Sequence, residues 1–81
     1  MDVPVHYRKR LVGFIEDSTV DNFRTYGRWR AVASEQTTVF LRAVAAEAEP
    51  AIGMGEAGQV PGYVTGIDDG WIEVVTVPPV P

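Results

Sequence analysis

The chain has 81 residues, with 7 Lys and Arg, 11 Asp and Glu, one His and no Cys. At 46% hydrophobic and 22% charged it has the mix of one globular domain, and its length excludes a TIM barrel, a full Rossmann domain or a kinase. A domain of this size buries only about 60–65% of its unfolded surface, so its core must be thin.

Without Cys there are no disulfides, thiolate zinc sites, iron–sulfur clusters or Cys nucleophiles. A small chain without such staples reads as cytoplasmic. The opening MDVPVHYRKR lacks the apolar run of a signal peptide. No stretch approaches the roughly 18 apolar residues of a membrane span. The net charge of −4 is unevenly spread. Residues 1–42 hold all seven cations against five acids, whereas residues 43–81 hold six acids and no cation.

In chain order, His6 to Glu16 reads as a strand whose Leu11, Val12, Phe14 and Ile15 interrupt strict alternation. Asp17 to Asn22 is rich in turn formers. Phe23 to Val32 alternates cleanly. Phe23, Thr25, Gly27, Trp29 and Ala31 share one face, and Arg24, Tyr26, Arg28 and Arg30 share the other. Ser34 suits a helix N-cap, with Glu35 in the first turn. The helix runs to about Glu47, with Thr37, Phe40, Leu41, Val44, Ala45 and Ala48 on its apolar face, and Pro50 stops it. At about 14 residues it needs a sheet to lie on.

Ala51 to Gly55 reads either as a short edge strand or, given its glycines, as loop. The oligomeric state is left open, an exposed edge strand being one way to pair two copies. Tyr63 to Ile67 and Trp71 to Val77 form a hairpin through Asp68-Asp69-Gly70. The expected fold is α+β: a small antiparallel sheet of four to five strands with one helix on one face, in the order β-β-α-(β)-β-β. Residues 1–77 make this single domain, and 78–81 form a frayed Pro-rich tail.

Gly53-Met54-Gly55-Glu56-Ala57-Gly58 spells G-x-G-x-x-G. A dinucleotide site needs those glycines between a strand and a helix; here they follow a helix and precede Pro61-Gly62, so they read as a flexible loop. His6 has no second His or Cys and reads as a solvated or lightly packed residue. The acids at Glu16/Asp17, Asp21 and Asp68/Asp69 sit in turns, where Asp satisfies local backbone. These features assign no catalytic residue, no metal ligand and no cofactor, and the chain reads as a non-enzyme.

Trp29 belongs to the face a helix would cover and reads as core. The opposite face carries Arg24, Tyr26, Arg28 and Arg30. If Arg8 and Arg10 of the neighbouring strand join them, five arginines and a tyrosine gather on one surface, with Trp71 or the glycine loop at its rim. The arginines' mutual repulsion needs an offset, either from Glu73 and other acids of the C-terminal half or from an external anionic surface. Arg and Tyr are enriched at protein interfaces. The expected function is therefore a protein–protein interaction module, such as a small inhibitor or immunity-type protein. A weak nucleic-acid-binding module on the same face is the alternative, opposed by the chain's acidity.

Overall fold

The computed structural model describes residues 2–76. The last residue expected in a strand, Val77, and the tail at 78–81 lie outside them. Three antiparallel strands come first: β1 (Val3–Tyr7), β2 (Arg10–Asp21) and β3 (Arg24–Ala31). The helix α1 (Glu35–Ala45) follows, then β4 (Ala51–Met54), β5 (Val60–Asp68) and β6 (Trp71–Thr76). The strands close into a barrel in the order β1-β2-β3-β6-β5-β4, with β4 pairing back onto β1.

Closure overturns the expected open sheet of four to five strands with a helix on one face. The first cause is one unrecognised turn. Tyr7 pairs with Arg10, so Arg8 and Lys9 form a two-residue turn inside what reads as a single strand. Both have positive φ, 52° and 68°, as a type I′ turn requires. Such turns normally carry Asn-Gly, because the left-handed region costs a bulky L-residue about 1 kcal/mol or more. Arg-Lys therefore gives no turn signal. The segment from Val3 to Asp21 thus supplies two strands. The second cause is β4, which pairs with both β5 and β1 and so is no edge.

Three irregularities bend the ladders enough to close. Val5 faces Gly13 and His6 faces Leu11, leaving Val12 as an extra residue on β2. The register slips again between Glu16 and Thr19, and between Val64 and Gly66 on β5. Bulges of this kind sharpen local twist and bend the strand. The first explains the broken alternation of β2: Val12 and Gly13 are both buried, while Phe14 is partly covered on the outside.

Inside the wall lie Val5, Tyr7, Val12, Ile15, Ile52, Met54, Val64, Ile72 and Val74. The helix does not lie on a sheet face; it closes one mouth of the barrel. Ser34 caps it, its Oγ accepting from the Thr37 N–H at 3.1 Å. Thr37 Oγ1 donates to the Val12 carbonyl at 3.2 Å, and the same carbonyl accepts from the Val32 N–H at 2.9 Å. Phe40 is wholly buried, its ring centroid 5.4 Å from Tyr7 and 5.6 Å from Trp29. Tilted aromatic pairs at such spacing contribute about 0.5–1.5 kcal/mol each beyond area burial. Among the described residues no helix is long and apolar enough to cross a membrane.

Candidate functional site

The alternation of β3 orients its side chains against the barrel. Thr25 and Gly27 are buried and Trp29 packs against the core, whereas Arg24, Tyr26, Arg28 and Arg30 face out. Phe23 and Ala31 depart from the expected inward set: Phe23 lies before β3 in the turn from β2 and is 54% exposed, and Ala31, the last residue of β3, is exposed too. Gly27 is small for a reason: a Cβ there would sit 2.6 Å from the Glu16 carbonyl oxygen, inside the second bulge.

The registers decide what stands beside each outward residue. Arg30 faces Phe14, Arg28 lies between Glu16 and Trp71, Tyr26 between Thr19 and Glu73, and Arg24 between Asp21 and Val75. The guanidinium groups are thus interleaved with carboxylates rather than stacked on one another. Arg30 Nε donates to Glu16 Oε2 at 2.9 Å, and Arg30 reaches Asp2 at 3.9 Å. Its Cζ lies 4.5 Å above the Phe14 ring. Arg24 approaches Glu73 at 3.9 Å, while Glu73 also accepts from Thr65 Oγ1 at 2.8 Å. These pairs are exposed, so each contributes about 0–1 kcal/mol.

Arg28 differs. Its cross-strand neighbour Glu16 turns to Arg30, and among the described residues Arg28 has no ion pair. Next to it Trp71 is 52% exposed and Tyr26 is 36% exposed. Beside them the bulge of β5 leaves a cavity of about 500 Å³, lined by Tyr26, Thr65, Gly66, Asp68, Trp71 and Glu73. A Cβ on Gly66 would meet nothing within 4 Å.

Arg24, Tyr26, Arg28, Arg30 and Trp71 therefore share one outer face. Arg8 and Arg10 do not join it. Arg8 is in the β1–β2 turn beside β4, and Arg10 opens β2 near Ser34 and Glu35 at the start of α1. Residue patterning does not reveal the roles of Glu16 and Phe14, because their positions depend on the bulges of β2. The glycines at 53, 55 and 58 belong to β4 and its link to β5, a strand–loop–strand setting unlike a dinucleotide site. Among the described residues, no three of His, Asp and Glu converge as metal ligands. Compared with protein-family models, curated proteins and solved structures, the chain matches none.

Proposed function

We propose that the protein is a non-enzymatic recognition module that binds a protein partner through the outer face of β2, β3 and β6. The partner presents a carboxylate to Arg28 and an adjacent apolar side chain to the cleft between Tyr26 and Trp71. The observation that carries this reading is a guanidinium without an internal carboxylate, next to the exposed rings of Tyr26 and Trp71, which line a cavity. Arg, Tyr and Trp are the types that dominate binding energy when they are buried at the centre of an interface. Glu16, Asp21 and Glu73 on the same face repel phosphate and weigh against nucleic acid. An inhibitor or immunity-type role fits a module of this size, and the cysteine-free composition favours the cytoplasm.

The test compares affinity capture from the native host by the wild type, Arg28→Glu and Trp71→Ala. Each variant is checked for an unchanged circular dichroism melt, since both positions are exposed. The expected result is a shared set of captured proteins that both variants lose, with affinity for the strongest reduced at least tenfold, or about 1.4 kcal/mol. The same set captured by Arg28→Glu would overturn the reading. Retardation of an oligonucleotide that fades steeply with salt would replace it with phosphate recognition.

A further inference from the structure

Across the barrel from Arg28, a second surface concentrates positive charge. A cavity of about 600 Å³ lies on the outer wall over the seam between β1 and β4, and its lining includes His6, Arg8, Lys9, Ile52, Gly58 and Pro61. No Asp or Glu lines it, in a chain of net charge −4. Arg8 and Lys9 form no ion pair among the described residues. The Arg8 Cζ lies 5.0 Å from the Tyr7 ring centroid. This cation–π contact holds the guanidinium over the ring without neutralising its charge.

The turn that carries these cations is conformationally costly. Asp69-Gly70 fills the equivalent positions of the β5–β6 turn, at φ 52° and 79°, with residue types that adopt the left-handed region readily. Asp17 and Asn22, also at positive φ, are of such types too. Arg8 and Lys9 are not, and they are consecutive. Glu47 and Glu49 after α1 also take positive φ, at 57° and 48°, so it is the cleft beside the Arg8–Lys9 turn, and not the strain alone, that sets this turn apart.

The wall beneath them is built for close approach. His6 faces Gly53 across the seam, and its Nδ1 is buried with no hydrogen-bond partner. A Cβ on Gly58 would lie 3.3 Å from the imidazole, and a Cβ on Gly53 would collide with the Gly58 carbonyl. The β4–β5 loop therefore folds down onto the outer wall as the floor of the cleft. Its amides are engaged: Gly55 N–H donates to Pro4, Ala57 N–H to Gln59 Oε1, and Gly58 N–H to Gly55. An anion here must be held by side chains and not by glycine amides.

We propose that this cleft binds a small phosphate monoester, with Arg8 and Lys9 holding the phosphate and Ala51, Ala57 and Pro61 receiving the organic body. Two cations match the about −1.5 to −2 charge of a phosphate monoester at neutral pH, whereas a carboxylate would leave one unbalanced. The volume falls within the roughly 300–1,000 Å³ typical of small-ligand clefts and exceeds what a bare ion needs. The site is independent of the Arg28 face.

The test titrates the isotope-labelled protein with phenyl phosphate, inorganic phosphate and phenol at constant ionic strength, following backbone amide shifts. Saturable shifts centred on His6, Arg8, Lys9, Gly53 and Gly58 are expected with phenyl phosphate, weaker binding with inorganic phosphate and none with phenol. The double variant Arg8→Asn, Lys9→Gly places the preferred turn residues there, so it should fold with an equal or higher Tm and bind at least tenfold more weakly. The charge-only pair Arg8→Gln, Lys9→Gln should lose binding to the same degree. Absence of saturation, unchanged affinity in either variant, or shifts spread equally to Arg24 and Arg42 would overturn the proposal. Sedimentation with phosphatidic acid vesicles and no response to phenyl phosphate would overturn it in favour of a lipid headgroup.

Discussion

The two mouths of the barrel are finished differently. At one, α1 lowers Phe40 between Tyr7 and Trp29 until no part of the ring meets solvent. At the other, a cavity of about 280 Å³ has Val3, Val20, Thr25, Met54, Val60 and Thr76 in its lining, with Val20 68% exposed and Val60 42% exposed. Strand pairing closes the wall all the way round. It does nothing to exclude water from the ends themselves. The wall sets the topology, while α1 and Phe40 seal one mouth and leave the other open.

The strongest way to break the comparison is Phe40→Ala. Loss of a fully buried aromatic plug costs about 3–5 kcal/mol, a large part of the stability of so small a domain. Urea denaturation should show most of the cooperative transition gone. A loss below about 1 kcal/mol would mean that the closed mouth is not decisive. A smaller effect is expected from Ser34→Ala, which removes the acceptor for the Thr37 N–H and a hydroxyl 2.9 Å from Thr37 Oγ1. The melting curve should report about 1 kcal/mol. Smallest of all is Val20→Asp at the open mouth, where the side chain is already in water. Its effect should stay within about 0.5 kcal/mol, and a larger loss would show that this mouth is closed in solution.

Some of this architecture is legible in the residues. The alternation of β3 follows from period-two patterning, with Thr25, Gly27 and Trp29 against Arg24, Tyr26, Arg28 and Arg30. It fails at both ends, at Phe23, which lies in the turn before β3, and at Ala31, which is exposed. The helix is written in its Ser34 cap and in the spacing of Thr37 and Phe40. The β5–β6 turn is written in Asp69-Gly70, because that pair reaches positive φ at little cost.

The Arg8–Lys9 turn is not legible, since bulky cations are poor residues for the conformation they adopt. Closure is not legible either. An open sheet and a barrel share the same alternation, and only the pairing of Val5 with Met54 and His6 with Gly53 separates them. The site shares this limit. Which residues project from β3 is local, but Glu16 reaches Arg30 rather than Arg28 only because of cross-strand geometry beside a bulge. The cleft beside Trp71 likewise comes from the extra residue near Thr65.

The seam between β1 and β4 settles how a visitor can be greeted. An open sheet offers a row of amides and carbonyls to which a foreign strand, or a second copy, can zip by main chain alone. Here the first and fourth strands meet through Val5–Met54 and His6–Gly53 and leave no free strand edge in the closed order. Whatever docks on the barrel wall must be told apart by side chains, which makes discrimination a matter of chemistry and shape rather than of generic backbone adhesion.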